Sequence, residues 1–154
     1  MSEATPIVLS SDEGEFAQTQ VGRLIKARGA ETGGALSFTV VSLPQGFAGP
    51  PLHRHLRTAE AFYILEGSFR FRVDDKYCDV APGGFVFVPI GTPHAFANTA
   101  GGKMLEMLFP ADFEQYFREI GSIVARGGTR EEIAAAQVRY GMEMLGPPIR
   151  GTDA

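Results

Sequence analysis

The sequence predicts an all-β fold, a small antiparallel barrel of two packed sheets, with two helices following it. Up to Pro110, short segments rich in β-branched and aromatic residues are separated by glycines and prolines at close intervals. Residues 69–73 alternate strictly, which places Phe69, Phe71 and Val73 on one face and two arginines on the other. Beyond Pro110 the apolar residues recur at helical spacing instead.

The predicted strands are separated by turn-forming segments. Residues 29–34 form a glycine-rich turn, residues 44–51 form a loop, and Asp74 with Asp75 turns a hairpin. About six to eleven strands are expected in a barrel of this kind. The segments with strand character cover residues 21–28, 35–43, 61–65, 69–73, 76–80, 85–88, 94–98 and 103–109.

Two amphipathic helices are predicted after the barrel. The first ends at Arg126 before two glycines, and its apolar stripe consists of Phe113, Phe117, Ile120 and Val124. Thr129 and Glu132 have the spacing of a capping box, which indicates the start of a second helix. Its stripe consists of Ile133, Ala136, Tyr140 and Met144, and residues 146–148 are expected to end it.

A length of 154 residues predicts a single domain over residues 1–154, with a barrel core at about 15–109 and a helical appendage at about 110–145. The helices are too short to form a domain of their own, so we expect them to pack on the barrel or on a second copy. A small barrel also leaves sheet edges and apolar helix stripes exposed. These features predict a homodimer.

Composition and charge exclude several classes of function. Fourteen Lys and Arg against 18 Asp and Glu give a net charge of −4, which argues against nucleic acid and anionic membranes as partners. There is no predicted helix-turn-helix segment, and Gly83 and Gly84 precede a strand rather than a helix, which excludes a dinucleotide site. Residues 1–9 do not resemble a signal peptide, and Cys78 is the only cysteine, so a cytoplasmic location is expected.

All three histidines of the chain lie in two short glycine-bounded segments. In the first segment, a strand would place His53 and His55 on one face, whereas a helix would separate them by about 200°. Two prolines just before this pair disfavour a helix. Glu60 follows at a distance that lets the chain bend back toward the same point. In the second segment, His94 begins a new strand after a tight turn at residues 89–91.

The two segments resemble the paired sequence motifs of the cupin superfamily. The second segment matches the family pattern through Gly83, Pro89, Gly91, His94 and Asn98. The first segment matches through His53, His55, Glu60 and Gly67. It departs at its leading glycine, because Gly46 stands one residue too far from His53. Residues 140–148 are similar to single-domain cupins of the quercetin-dioxygenase-like group.

The resemblance implies a jelly-roll barrel in which His53, His55, Glu60 and His94 bind one divalent transition metal ion. Three imidazoles and a carboxylate suit Fe, Ni, Mn, Co, Cu or Zn, and four protein ligands leave room for water, dioxygen or substrate. Glu60 is either a ligand, or a general base beside the metal, or both in one cycle.

Five further residues share the predicted metal face. Phe62, Phe71, Phe87 and Phe96 are candidates for an apolar pocket wall, with plain core packing as the alternative. Asn98 is expected to fix a turn or to form a hydrogen bond near the site rather than to bind metal.

The leading interpretation is metal-dependent oxygen chemistry on an aromatic or apolar small molecule, because the predicted inward face holds more Phe and Met than Lys or Arg. The resemblance implies that such an enzyme would be a quercetinase-like dioxygenase. Glu60 would be the catalytic residue that accepts a proton. One alternative is a cupin that binds metal or a small ligand without turnover, as a sensor or carrier. Another is a metal-dependent isomerase or decarboxylase. A sugar-phosphate isomerase is disfavoured, since few cations are available to hold a phosphate.

Overall fold

A computed structural model describes residues 3–98 and 100–151, and in it the strands form two antiparallel sheets. The larger sheet contains β1 (Glu15–Gln18), β2 (Gly22–Ala27), β3 (Ser37–Leu43), β10 (Gly102–Phe109), β5 (Ala59–Glu66) and β8 (Phe85–Val88), in that spatial order. The smaller sheet contains β11 (Met142–Pro148), β4 (Pro51–His55), β9 (His94–Ala97), β6 (Phe69–Val73) and β7 (Lys76–Val80). The helices are α1 (Gly29–Thr32), α2 (Glu114–Ala125) and α3 (Arg130–Arg139), with a 3₁₀ turn at Ala111–Phe113 before α2.

The predicted all-β class with two sheets and two C-terminal helices is confirmed, but the barrel is not closed. Among the described residues, no strand of one sheet pairs with a strand of the other. Each sheet therefore keeps two edges, formed by β1 and β8 in one and by β11 and β7 in the other. The arrangement is a jelly-roll-like sandwich, in which side chains rather than backbone hydrogen bonds join the two sheets.

The main core lies between the sheets and contains a cluster of phenylalanines. Phe71 is fully buried, and its ring centroid lies 5.3 Å from that of Phe62 and 5.7 Å from that of Phe96. These three residues come from β6, β5 and β9, so their contacts join the two sheets. The alternation predicted for residues 69–73 is confirmed, since Phe69 and Phe71 are buried while the intervening arginine is only half-buried.

A glycine at the end of β5 allows the tight turn into β6. Gly67 has a positive φ of 78°, a backbone region that side chains with a Cβ rarely adopt. A Cβ atom at this position would also lie 2.4 Å from the carbonyl oxygen of Gly101. Both constraints explain why the first motif ends in glycine.

The two C-terminal helices pack on the sandwich as an additional layer. The buried face of α2 includes Phe117, Ile120 and Ile123, which belong to the same apolar cluster as Leu108 of β10. Val124, predicted on this stripe, is half-exposed. At 12 residues, α2 is the longest helix in the described part of the chain, and it falls short of the roughly 20 apolar residues that a membrane-spanning helix needs.

The capping box predicted for the second helix is confirmed. The Thr129 side chain accepts a hydrogen bond from the backbone N–H of Glu132, and the Glu132 carboxylate accepts one from the backbone N–H of Thr129 at 2.7 Å. Two donors at the start of α3 are thereby satisfied.

The prediction that the second helix continues to Met144 is wrong. The helix ends at Arg139, Gly141 adopts a positive φ of 72°, and the chain then forms β11. This strand pairs with β4, placing Met144 opposite His53. The two prolines predicted to end a helix instead lie in a strand at the sheet edge, where a missing N–H is tolerated. Pairing with β4 overrides the helical pattern, and that pairing cannot be read from local spacing.

The first residue of α2 is a buried carboxylate that connects distant parts of the chain. Glu114 is 4% exposed, and one of its oxygens accepts a hydrogen bond from the backbone N–H of Gly29 at 3.0 Å. Its other oxygen has no partner among the described residues. Burial raises the pKa of Glu114 to about 6, although the bond from Gly29 and the charge of Arg118 act in the opposite direction.

The replacement Glu114→Gln should weaken the pH dependence of stability. The pKa of Glu114 in the folded state lies above its unfolded value of 4.5. The stability that protonated Glu114 contributes to the fold is therefore fully present below pH 4.5 and is lost as the pH rises through about 6. Gln retains a carbonyl that accepts from Gly29 but does not titrate. We measure the free energy of unfolding by urea denaturation between about pH 4.5 and pH 6.5. Over this range it should decrease less in the variant than in the parent, by about 1 to 2 kcal/mol. Parallel curves for the two proteins would contradict the assignment.

Candidate metal centre

Three imidazoles project from the smaller sheet toward the interior. His53 and His55 lie two residues apart on β4 and are 5% and 3% exposed, while Arg54 between them is half-buried and pairs with Glu143 of β11. His94 begins β9 and lies directly opposite His53 in the antiparallel pairing of β4 with β9. The predicted extended geometry of the His53–His55 pair is therefore confirmed.

The carboxylate of the cluster comes from the larger sheet. After His55 the chain leaves β4, crosses to the other sheet through residues 56–58 and enters β5, which carries Glu60. The side chain of Glu60 is 3% exposed and points between the sheets. The cluster therefore bridges the two layers of the sandwich.

The four side chains meet at one point, as their sequence pattern predicts. Their closest ligand atoms all lie within 4.8 Å of one another. The ring centroid of His53 lies 4.3 Å from that of His94 and 5.0 Å from that of His55. The Glu60 Oε2 atom lies 2.6 Å from Nε2 of His94 and 3.2 Å from Nε2 of His55.

Backbone carbonyls orient two of the three imidazoles. His53 Nδ1 lies 2.7 Å from the carbonyl oxygen of Pro51, and His94 Nδ1 lies 3.0 Å from that of Thr92. Each contact assigns a proton to Nδ1 and leaves Nε2 as the nitrogen available to a metal, a common outer-sphere arrangement for histidine ligands. The Nδ1 atom of His55 is buried without a partner among the described residues. Its ring packs instead against the edge of Phe113, with centroids 4.1 Å apart.

The protonation states of the cluster depend on burial and on the single carboxylate. Burial lowers the pKa of His53 to about 3, which keeps this imidazole neutral. Burial also disfavours the charged forms of His94 and Glu60. The hydrogen bond between these two side chains outweighs the effect of burial and raises the pKa of His94. The neighbouring His55 and His94 hold the pKa of Glu60 well below its usual range. The carboxylate is therefore ionised, and its contact with His94 favours the positively charged form of that imidazole.

The donor set fits a divalent transition metal. Imidazole nitrogens and an ionised carboxylate are the ligands that such ions take, and a cation at this point can take the place of the proton between His94 and Glu60. His53, His55, Glu60 and His94 form the only cluster of at least three such side chains among the described residues.

The cluster lines a cavity of about 250 Å³ with mostly apolar walls. The sandwich contributes the cluster itself and several aromatic rings, and α2, α3 and β11 contribute the remaining wall. The C-terminal segments thus help to shape the cavity. The aromatic residues that line it are Phe47, Phe62, Phe96, Phe113, Tyr116 and Phe117.

The five predicted pocket residues occupy different environments. Phe62 and Phe96 line the cavity, whereas Phe71 is fully buried in the core behind them. The placement predicted for Phe87 is wrong, because the alternation of β8 has the opposite phase. Val86 and Val88 point inward, and Phe87 is 52% exposed on the outer face of the sheet.

Asn98 organises a turn instead of lining the cavity. Its amide nitrogen donates to the carbonyl oxygens of Ser68 and Gly101, and its carbonyl oxygen accepts from the backbone N–H groups of Ala100 and Gly101. This is the turn-fixing role expected as one of the two alternatives for this residue.

Two charged residues that line the cavity were not anticipated from the sequence. Arg23 of β2 and Glu106 of β10 are 7% and 2% exposed, and they form a buried ion pair. Burial raises the pKa of Glu106, and the charge of Arg23 opposes this shift. Both residues stand on the apolar face of an alternating strand, between Val21 and Ile25 and between Met104 and Leu108. A charge in such a register is the sequence signal that identifies them.

Comparison with known proteins agrees with this geometry. Residues 39–109, which include all four residues of the cluster, match the family model described as the cupin domain. The chain is also 30% identical, over 107 residues, to an oxalate-binding protein of Thermotoga maritima, with 86% of that protein and 70% of this chain covered. The chain belongs to the cupin family.

Two further comparisons extend over most of the chain. The quercetin 2,3-dioxygenase of Bacillus subtilis is 35% identical over 123 residues, which are 77% of this chain. The chain spans only about a third of that relative's length, since 35% of it is covered. The structure of an RmlC-like cupin from Shewanella frigidimarina superimposes with a TM-score of 0.62 at 20% identity, covering 75% of this chain and 99% of that one. At this identity the likeness concerns the fold.

Proposed function

We propose that this cupin is a metal-dependent oxidoreductase of the dioxygenase type, which acts on an aromatic or apolar small molecule. The proposal depends on one observation: the three imidazoles and the carboxylate open into a cavity walled mainly by aromatic and aliphatic side chains. Such a cavity excludes water and favours a ligand with an apolar body.

The proposed site has a separate role for each of its parts. A divalent transition metal bound by His53, His55, Glu60 and His94 would supply a Lewis acid that makes a ligand hydroxyl more acidic. Glu60 would take the proton on Oε1, because both of its histidine contacts use Oε2. Phe62 and Phe96 would hold the apolar part of the substrate beside it.

The relatives support two candidate functions of different kinds. The similarity to a quercetin 2,3-dioxygenase supports oxygen chemistry. The similarity to an oxalate-binding protein, with most of that protein covered, supports the second candidate, a cupin that binds metal or a small ligand without turnover. A metal-dependent isomerase or decarboxylase is a third possibility, but a phosphorylated substrate is disfavoured because Arg23, the only Lys or Arg among the described residues lining the cavity, is already paired with Glu106.

Metal binding is tested by replacing the two carboxylates of β5 separately. Glu60→Gln removes the charge from the cluster, and we expect it to lower the affinity for Zn(II) or Co(II) by about 100-fold in calorimetric titrations of metal-free protein. Glu66→Gln, an exposed carboxylate at the end of the same strand, is the matched control and should bind one ion per chain like the parent. Equal affinities for all three proteins would contradict the proposed ligand set.

Oxygen chemistry is tested with protein loaded separately with Fe(II), Ni(II), Co(II) and Mn(II). We expect at least one metal form to consume oxygen in the presence of a flavonol or a catechol, measured with an oxygen electrode, and the Glu60→Gln variant to lose this rate. Thermal stabilisation by these compounds without any oxygen uptake, for every metal, would refute the dioxygenase proposal and favour the binding function.

We also propose that a second copy of the chain covers the outer face of the larger sheet. Phe85 and Phe87 of the edge strand β8 are 60% and 52% exposed and border an apolar depression on this face. The remaining residues of the depression are Ala59, Ala61, Met107 and Phe109. Pairing two copies here would cover both the apolar surface and the adjacent sheet edge.

The cytoplasmic location stays a prediction from the sequence.

The homodimer is tested by light scattering coupled to size exclusion at micromolar concentration. We expect the parent to have the mass of a dimer and Phe87→Glu to have the mass of a monomer, since a buried unpaired charge disrupts an apolar interface. Val138→Glu, on the exposed face of α3, is the control and should remain dimeric. A monomeric parent would contradict this proposal.

A further inference from the structure

We propose that Met142 and Met144 of β11 form a sacrificial sulfur pair, which hydrogen peroxide oxidises to methionine sulfoxide before it oxidises the histidines of the cluster. The two thioethers are therefore modification sites, and their role is to protect His53 and His55. The inference rests on the metal site of the proposed function, but it requires no particular substrate and no turnover of one.

The pairing of β11 with β4 places each methionine beside a residue of the cluster. Met142 lies directly opposite His55, and Met144 lies directly opposite His53. Side chains directly opposite each other in an antiparallel pair share one face of the sheet, with their Cβ atoms about 4.5 to 5.5 Å apart. Glu143, between the two methionines, forms its ion pair on the outer face instead. Each thioether is thus the neighbour of one imidazole.

Both methionines are reachable from the cavity. They line it together with all four residues of the cluster. Met144 is 40% exposed, and Met142 is half-buried against the apolar cluster that contains Phe117 of α2. A peroxide molecule that enters the cavity therefore meets the two thioethers in the same space as the imidazoles.

The oxidation is a two-electron transfer of one oxygen atom. The sulfur donates an electron pair to one oxygen of hydrogen peroxide, so that a sulfur–oxygen bond forms and the oxygen–oxygen bond breaks. The second oxygen leaves as water with both protons, so sulfur is oxidised and peroxide is reduced. When bound at the cluster, a redox-active ion supplies local activation of the peroxide, whereas Zn(II) has no redox chemistry. Methionine sulfoxide can be reduced again enzymatically, so the protection is renewable.

Two other methionines provide an internal contrast. Met107 is half-buried and lines the apolar depression on the outer face of the larger sheet, whereas Met104 is fully buried in the core. Neither of them lines the cavity. Met107 therefore reports oxidation by peroxide in bulk solvent, away from the cluster.

Mass spectrometry of protein treated with hydrogen peroxide tests the proposal. The parent is loaded with one equivalent of Fe(II) or of Zn(II), and sulfoxide is quantified at each methionine. We expect the ratio of oxidation at Met142 and Met144 to oxidation at Met107 to be about tenfold higher with Fe(II) than with Zn(II), because proximity raises the effective concentration of the reactants. An equal ratio in the two metal forms would overturn the proposal.

The protective role is tested with Met142→Leu/Met144→Leu, which removes both sulfur atoms and nearly conserves the apolar volume. In the Fe(II)-loaded variant, we expect the gain of one oxygen on the histidines of the cluster to be about threefold greater than in the parent at the same peroxide dose. Met107→Leu is the matched control and should behave like the parent. Equal histidine oxidation in the double variant and the parent would contradict the protective role.

A Zn(II) titration of the untreated parent separates this inference from the proposed function. A parent that binds no ion would refute the proposed ligand set. A parent that binds one ion per chain, but oxidises its methionines in the same ratio with Fe(II) and Zn(II), would refute only the sulfur pair. The comparison of metal forms uses the parent alone, so it decides the question even where the double variant fails to fold.

Discussion

The structure depends on one buried carboxylate, Glu60, held between three imidazoles. An ionised group that is 3% exposed has lost its hydration, and it persists only where positive charge or hydrogen-bond donors replace the water. His55 and His94 contact its Oε2 atom, and they belong to the sheet opposite the one that carries Glu60. The contacts of this one side chain therefore link the two sheets at the cluster, and its negative charge is the reason that a cation suits this point.

The aromatic core and the polar cluster have complementary positions in the sandwich. Phe62 follows Glu60 on the inner face of β5, and Phe96 follows His94 on the inner face of β9. Each strand therefore contributes a polar ligand and, one step along the same face, an aromatic ring. This alternation places the cluster next to an apolar wall without any special loop. The C-terminal helices and β11 cover the remaining side of the cavity.

Most of the fold and the four residues of the cluster could be predicted from the sequence, the fold from local signals and the cluster from the resemblance to the cupin motifs. Spacing of two residues places His53 and His55 on one face of a strand, and the capping box at Thr129 and Glu132 identifies the start of α3. The remaining features of the fold depend on pairing between segments that are distant in the sequence, which local patterns do not show. β11 forms only because β4 offers a free edge, and no periodicity within residues 142–148 contains that information.

The phase of an alternating strand is another property that local sequence leaves open. Residues 85–88 are apolar throughout, so nothing in the pattern distinguishes the inward valines from the outward Phe87. The same alternation does identify Arg23 and Glu106 once it is applied to charges, since each interrupts a buried apolar face. Their pairing across the sheet, however, requires the three-dimensional order of β2, β3 and β10.

X-ray absorption at the zinc edge, on protein loaded with one equivalent of Zn(II), tests the central claim most directly. The account predicts a shell of nitrogen and oxygen at about 2.0 to 2.2 Å, with the multiple-scattering signature of three imidazoles and no sulfur. Cys78 is exposed and lies outside the cluster, so a sulfur neighbour at about 2.3 Å would mean that the metal binds elsewhere. That result, or a shell with fewer than three imidazoles, would contradict the account.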